Sequence, residues 1–275
     1  VFASLAGRPD ALDALDHDAG GLLRYHGIPD ARIAARRSYP TDANWKLVIE
    51  NFMECYHCLP AHPEYSSVMK HIDMVGRVAP EAAAERARQV DAWFRDTADP
   101  QSPLGPAQLR QPRDDSDFRL FREPIGGGRR TQSQDGEPVA PLMGRQSRFD
   151  GGNAGFSLRP FVACVALNDH AVTFQFVPAG PERTEVVLTW LVDGTAPAEA
   201  VDVERMTWLW DVTTRQDKAI IEQNAAGVRS RAYGPGPYSL LESWPARFVA
   251  RYLDELARGL DPATDEPGDA ARSDS

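Results

Sequence analysis

The chain has 275 residues, of which 42% are hydrophobic, and a formal net charge of −10. This length is enough for one large domain with a substantial core, and the acidic balance argues against nucleic acid as a partner because phosphates attract basic surfaces. There is no run of 18 apolar residues, so no membrane partner is expected. The three cysteines, Cys55, Cys58 and Cys164, are too few for a disulfide framework, which is typical of the reducing cytoplasm.

The N-terminal part is predicted to contain a connector and then a helix. Residues 1–40 form the connector, in which residues 22–25 are expected to begin a strand. Thr41 and Asp42 are good helix caps, and Pro60 should end the helix because proline disfavours helical geometry in the residue before it. The apolar positions follow the i, i+3, i+4, i+7 spacing of a helix face: Trp45, Val48, Ile49 and Phe52.

The remaining elements are predicted to form a sheet and further helices. A second helix is expected over 80–95, and loops and hairpins over 96–155. Strands are predicted over 156–167, 172–176 and 184–192, the last two joined as an antiparallel hairpin by a Gly/Pro loop. Helices follow over 201–227 and 244–260, and the acidic tail 261–275 is expected to be disordered. The predicted class is therefore α+β, with an antiparallel sheet packed against long helices in a domain spanning 41–260.

Two histidines, two carboxylates and two cysteines lie between Glu50 and His62. Two imidazoles and one carboxylate can hold a divalent iron on one face and leave the opposite face open. On a helical wheel Glu50, Glu54 and His57 cluster opposite the apolar stripe, although a solvated polar face would give the same pattern. Pro60 allows the chain to fold back, which would bring His62 toward His57.

Asp217 is the candidate for a third ligand. It is centred on the apolar stripe of the helix predicted over 201–227, where an uncompensated carboxylate is costly, whereas Asp211 lies on the charged side. A buried aspartate that acts as a cap or pairs with an arginine remains the alternative. Zinc also accepts two histidines and a carboxylate, but no hydrolytic base beyond Glu54 is evident. Cys55 and Cys58 are interpreted as small, soft side chains rather than as ligands.

Residues 44–63 read NWKLVIENFMECYHCLPAHP, which resembles the signature of Rieske non-haem iron oxygenase large (α) subunits, in their catalytic domain. Residues 207–242, TWLWDVTTRQDKAIIEQNAAGVRSRAYGPGPYSLLE, are similar to the C-terminal ligand region of that family. By position, the resemblance implies that His57, His62 and Asp217 bind Fe(II), and that Glu54 links the iron site to a neighbouring subunit's Rieske cluster. It also implies a helix-grip (START/Bet v1-like) fold, a homotrimer, and NAD(P)H as the electron source through a separate reductase, with or without a ferredoxin.

The chain departs from the family pattern in one respect. A Rieske [2Fe–2S] cluster requires a C-x-H and a later C-x2-H motif, and Cys55-Tyr56-His57 is followed by no C-x2-H. We therefore expect the cluster to lie on an N-terminal module that precedes this chain.

The resemblance implies a small-molecule substrate that is oxidised with O2, either an aromatic ring or, because residues 207–242 look most like members acting on quaternary amines, a quaternary amine. Five aromatic side chains are candidates to bind a quaternary amine through cation–π contacts, although they could equally belong to the ordinary hydrophobic core: Phe174, Trp190, Trp208, Trp210 and Tyr233. The alternatives from other classes are a metal-free helix-grip module that binds an apolar ligand, and a zinc hydrolase.

Overall fold

The structure, a computed structural model, describes residues 20–69, 80–97, 118–158, 161–239 and 242–259. Within these ranges there are seven α-helices: α1 (Gly21–Tyr25), α2 (Trp45–Met53), α3 (Cys58–Ala61), α4 (Pro63–Met69), α5 (Pro80–Asp96), α6 (Val203–Val228) and α7 (Ser243–Gly259). The six strands are β1 (Arg32–Thr41), β2 (Phe118–Pro124), β3 (Gly152–Leu158), β4 (Val162–Ala166), β5 (Ala171–Gly180) and β6 (Arg183–Val192).

The strands form one antiparallel sheet in the order β1-β6-β5-β4-β3-β2. The N-terminal strand β1 pairs with β6, so the two ends of the strand sequence meet in the sheet. The predicted α+β class with an antiparallel sheet and long helices is therefore confirmed. None of the helices in the described ranges has the length and apolar character needed to cross a bilayer.

The predicted hairpin of β5 and β6 is confirmed and forms the centre of the core. Phe174 pairs with Leu188, and Val172 pairs with Trp190, and all four side chains are buried. Residues two apart on a strand face the same side, so this face of the hairpin is continuously apolar. The helices α2 and α6 pack against it through apolar residues of one cluster: Val48, Ile49, Met206, Ile221 and Ala225.

The long helix α6 agrees closely with the prediction over 201–227. Asp202 caps it by accepting a hydrogen bond from the Arg205 N–H at 3.1 Å. Its buried stripe contains Met206, Leu209, Thr213, Asp217 and Ile221. Asp211 lies on another side, where Tyr39, Arg37 and Arg215 contact its carboxylate. The predicted positions of Asp217 on the buried stripe and of Asp211 on the charged side are therefore confirmed.

The predictions around the first long helix were partly wrong. Residues 22–25 belong to helix α1 rather than to a strand. Thr41 ends β1, and Asn44 caps α2 instead, accepting a hydrogen bond from the Lys46 N–H at 3.0 Å. The helix ends at Met53 because Glu54 has an extended backbone, well before Pro60. A one-helix wheel through Glu50, Glu54 and His57 therefore does not describe the real positions of these side chains.

Two further predictions differ from the structure or lie outside it. The strand expected over 156–167 is two strands, β3 and β4, which pair with each other. The helices predicted over 80–95 and 244–260 are present as α5 and α7. The tail 261–275 and residues 98–117 of the predicted loop region 96–155 lie outside the described residues. The division of the chain into a connector, a domain and a tail, and the cytoplasmic location, stay predictions.

Candidate metal centre

The structure brings His57, His62 and Asp217 together. The Oδ1 atom of Asp217 lies 3.0 Å from Nε2 of His62 and 3.3 Å from Nε2 of His57. The two histidines flank the short helix α3, as its N-terminal and C-terminal caps, and the aspartate comes from the middle of α6. The turn of α3 explains how His62 reaches His57 although the two are five positions apart.

The spacing of these atoms fits a shared metal ion. Nitrogen and oxygen ligands bind a divalent transition metal at about 2.1 Å, so two ligands at right angles are separated by about 3 Å. Both distances from Asp217 Oδ1, 3.0 and 3.3 Å, agree with that separation. The three side chains therefore have the donor set and the spacing of a two-histidine, one-carboxylate site.

Asp217 is buried, with 4% of its surface exposed. Although burial raises the pKa of a carboxyl group, hydrogen bonds from the two imidazoles and from Asn51 hold the pKa of Asp217 below its usual value. The Asn51 Nδ2–H donates to the same Oδ1 atom at 2.7 Å. Among the described residues no arginine pairs with this carboxylate, in contrast to the alternative interpretation of a buried Asp–Arg pair.

His57 is held between two carboxylates. Its Nδ1 atom lies 2.5 Å from Oε1 of Glu54, while its Nε2 atom faces Asp217. Burial lowers the pKa of the imidazole, but the hydrogen bonds to Asp217 and Glu54 outweigh it and raise the pKa to about 9. Without a metal the ring is therefore protonated at neutral pH, and a metal ion must displace the Nε2 proton to bind there.

His62 is positioned by a chain of two residues that the sequence analysis missed. Its Nδ1–H donates to Oε1 of Gln216 at 3.0 Å, and Gln216 Nε2–H donates to Oε2 of Glu64 at 2.7 Å. With Nδ1 committed to Gln216, Nε2 is the nitrogen that faces Asp217, and a metal ion would bind there in place of the hydrogen bond to the carboxylate. The only sequence signal was the position of Gln216 beside a candidate ligand, which does not predict a contact with Glu64.

The structure corrects the interpretation of two of the cysteines. Cys55 and Cys58 are joined by a disulfide bond, and only Cys164 is free. The expectation of independent, reduced side chains was therefore wrong, because a turn closed by the Cys58 N–H and the Cys55 carbonyl brings the two Cα atoms to 4.9 Å.

Glu50 was also grouped with this site but does not reach it. Its carboxylate accepts a hydrogen bond from the Tyr238 hydroxyl at 3.0 Å, and Glu50 does not line the cavity beside the histidines. Of the carboxylates in residues 50–62, Glu54 alone contacts His57 in the described structure.

A cavity of about 210 Å³ opens beside the three candidate ligands. Of the five predicted aromatic faces, Phe174 and Trp210 line it, with ring centroids 4.9 Å apart. Trp190, Trp208 and Tyr233 do not line it: Trp190 is fully buried in the core, and half of the surface of Tyr233 is exposed. Aromatic and apolar side chains that the prediction omitted complete the wall: Phe52, Tyr65, Val165, Phe176 and Trp244.

Comparison with known proteins assigns the chain to a family. Residues 29–258 match the family described as "Ring hydroxylating alpha subunit (catalytic domain)". Since the match extends over most of the chain, the protein belongs to this family, the large subunits of Rieske non-haem iron oxygenases, as the resemblance predicted.

Curated relatives are oxygenase subunits of glycine betaine monooxygenases. The chain is 36% identical to that of Chromohalobacter salexigens over 267 residues, covering 95% of this chain and 58% of the relative. It is 33% identical to that of Pseudomonas aeruginosa over 266 residues, covering 94% of this chain and 60% of the relative. The chain thus spans about three fifths of the length of these relatives.

A solved structure of a quaternary ammonium Rieske monooxygenase has a similar fold. It aligns with a TM-score of 0.53 and 17% identity, covering 91% of this chain and 55% of the other. This similarity concerns the fold, in agreement with the mixed helical and antiparallel architecture described above.

Proposed function

We propose that this chain is the catalytic part of the oxygenase component of a Rieske-type monooxygenase, with His57, His62 and Asp217 as the ligands of one ferrous ion. The observation that carries the proposal is the position of one buried carboxylate oxygen within 3.3 Å of both imidazoles. Family membership supports the choice of iron over zinc. The six-stranded antiparallel sheet crossed by the long helix α6 supports a helix-grip arrangement.

The residues around the ligands hold them in place. His57, His62 and Asp217 would hold the iron, and a ferrous ion bound there would supply the activation of dioxygen. Asn51 orients the Asp217 carboxylate, and Gln216 keeps the Nδ1 proton on His62. The apolar and aromatic wall excludes water from the space beside the ligands, which protects a reactive centre from side reactions.

Glu54 is proposed to carry electrons into the site across a subunit boundary. In this proposal NAD(P)H reduces a separate reductase, which passes electrons, directly or through a ferredoxin, to a [2Fe–2S] cluster on a module outside this chain, in a homotrimer. Glu54 contacts His57 through Oε1 and accepts the Tyr56 N–H through Oε2. Because 48% of the adjacent Tyr56 is exposed, this loop lies near enough to the surface for a partner subunit to reach it.

The proposed substrate is a small quaternary ammonium compound. A cation is favoured by aromatic faces and by negative charge, and the cavity offers Trp210 and Phe174 together with the carboxylates of Glu54 and Asp217. The lining residues that the structure describes include no lysine or arginine. Since the relatives reported above are named for glycine betaine, an aromatic-ring substrate has less support than a methylated ammonium group, which the enzyme would oxidatively demethylate.

Metal analysis and turnover together test the proposal. The chain is purified without metal, reconstituted with Fe(II) under anaerobic conditions, and assayed for bound iron, with about one ion per chain expected. The chain combined with a Rieske [2Fe–2S] module and a reductase is then assayed with trimethylammonium compounds that carry or lack a carboxylate, and oxygen-dependent release of formaldehyde is expected. Absence of bound iron would favour the metal-free binding module, and oxygen-independent turnover with zinc would favour a hydrolase.

A further inference from the structure

A second set of possible metal donors lies in the loop that holds the two histidines. A nitrogen of His57, a nitrogen of His62 and Sγ of Cys58 all lie within 4.8 Å of one another. The helical turn explains this arrangement: the His62 N–H donates to the Cys58 carbonyl at 2.9 Å, so the two side chains are one turn apart on the same side. This set differs from the carboxylate set by one donor, because sulfur replaces the oxygen of Asp217.

The disulfide bond decides whether that sulfur is available. In the structure Cys58 is bonded to Cys55, and a disulfide sulfur is not the thiolate that binds metals. Exchange with two molecules of a low-molecular-weight thiol would break the bond: the cysteine pair gains two electrons and two protons, and the small thiols become a disulfide. A small disulfide reverses the reaction. Reduction therefore adds a soft ligand beside two imidazoles.

We propose that the redox state of the Cys55–Cys58 pair selects the metal at this centre. The disulfide form leaves two nitrogens and the Asp217 oxygen, a set suited to ferrous iron, whereas the dithiol form offers His57, Cys58 and His62 to Zn²⁺ or Cu⁺. Thiolate ligands favour these softer ions. Since both sets use the same histidines, a zinc ion in the thiolate set excludes iron. The claim that the disulfide form binds iron rests on the function proposed above, whereas the claim that the dithiol form binds a softer ion does not.

Cobalt(II) is the probe for thiolate ligation, because a bound thiolate produces a sulfur-to-metal charge-transfer band in the near ultraviolet. The full chain is stripped of metal and divided into an oxidised sample and an anaerobically reduced sample. Addition of Co²⁺ is expected to produce the band only in the reduced sample. Competition with a chromophoric chelator is expected to give a Kd for Zn²⁺ at least about tenfold lower in the reduced sample, as a gained thiolate ligand implies.

Two single substitutions provide matched controls. Cys55→Ser retains the Cys58 thiol but cannot form the intramolecular disulfide, so its band should be present in anaerobic samples with or without a reducing thiol and with no small disulfide added. Cys58→Ser should lack the band under both conditions. If reduced wild type and Cys55→Ser both lack the band, or if the zinc affinity is equal in the two redox states, the proposal is overturned.

Asp217→Asn separates this inference from the proposed function. The variant should retain the cobalt band, because its side chain is not in the thiolate set, and should lose Fe(II) binding. Retained iron binding in this variant would contradict the iron ligands proposed above, while the cobalt band would still support the thiolate site.

Discussion

The Asp217 carboxylate lies 3.0 Å from His62 Nε2, although 155 positions separate the two residues along the chain. The helix α6 carries the aspartate on its buried stripe, and the short turn of α3 presents the histidine to it. A buried carboxylate that faces two imidazole nitrogens is the arrangement that a divalent cation would stabilise most.

Substitution of Asp217 should remove the metal. Asp217→Ala deletes one ligand and the acceptor of the Asn51 hydrogen bond, so we expect a loss of Fe(II) affinity of at least about 100-fold, as expected for loss of a direct ligand. Bound iron is measured after anaerobic reconstitution and desalting. Asp211→Ala is the matched control, because Asp211 lies on the same helix but pairs with Arg37 and Arg215 outside the site. Equal iron content in the two variants would rule out Asp217 as a ligand.

Glu54→Gln should separate iron binding from electron delivery. The amide is nearly isosteric and still contacts His57, so about one iron per chain should remain. When the chain is combined with a Rieske [2Fe–2S] module and a reductase, turnover should fall by at least tenfold if the carboxylate carries electrons between subunits. Stopped-flow oxidation of the reduced cluster measures this transfer directly. Glu50→Gln is the control, since Glu50 bonds Tyr238 and does not line the cavity; normal transfer in Glu54→Gln would contradict the bridge.

Gln216 is expected to act through His62. Gln216→Leu removes the acceptor of the Nδ1 proton, which frees the imidazole to change tautomer or to rotate, so Fe(II) affinity should fall about 10- to 100-fold. The double variant Gln216→Glu with Glu64→Gln keeps an acceptor for His62 and a donor between positions 64 and 216, so it should recover much of the affinity. The exposed Gln223 on the same helix provides the control Gln223→Leu. An unchanged iron affinity in Gln216→Leu would show that this hydrogen bond does not position the ligand.

Trp210 is expected to favour a charged substrate over a neutral one of the same shape. Its ring is fixed by a hydrogen bond from Nε1–H to Gln132 Oε1 at 2.9 Å and packs against Phe174. Trp210→Leu should weaken binding of a trimethylammonium compound by roughly 5- to 30-fold, while its neutral tert-butyl analogue loses less. Calorimetric Kd values for both compounds give the comparison. Trp208→Leu, outside the cavity, is the control, and an equal loss for both compounds would exclude a cation–π role.

His26 should make the fold sensitive to acid. Burial lowers its pKa from 6.5 to about 4, with a partly opposing hydrogen bond to the Leu167 carbonyl. Since the unfolded chain takes up the proton first, this contribution to stability is complete above pH 6.5 and is lost as the pH falls toward 4. The loss is on the order of 3 kcal/mol.

Urea unfolding at several pH values, compared between wild type and His26→Gln, isolates this contribution from that of the carboxylates. The difference in the free energy of unfolding should shrink between pH 6.5 and 4. Parallel curves for the two proteins would contradict the assignment.

Much of the fold could be predicted from the sequence because its signals are local and periodic. Apolar residues alternate along β5 and β6 and recur about every 3.6 residues along α6. These local patterns are enough to predict the type of each element and which of its faces is buried. The same stripe distinguishes Asp217, on its centre, from Asp211, on the charged side of the helix. By contrast, the end of α2 depends on the extended backbone at Glu54, and nothing in the local pattern of apolar residues marks that change.

The contacts that complete the candidate site were harder to predict. His62 is linked through Gln216, on α6, to Glu64, on α4. Nothing in the sequence distinguishes Gln216 or Glu64 from other polar residues. The prediction of which aromatic residues line the cavity was incomplete for a similar reason. The sequence shows where the aromatic residues are, but not toward which side of the sheet their side chains point. Trp190 is on the predicted hairpin yet is enclosed in the core, whereas Trp244 reaches the cavity from α7.

The candidate ligands come from the helical side of the cavity, whereas β3, β4 and β5 supply the opposite wall through small and aromatic side chains such as Ala163, Val165 and Phe174. Exchange of side chains on those strands would therefore reshape the space for the organic molecule without displacing a metal donor. A family built on this plan can diversify its chemistry toward new compounds through the sheet while the inorganic part of the catalyst stays constant.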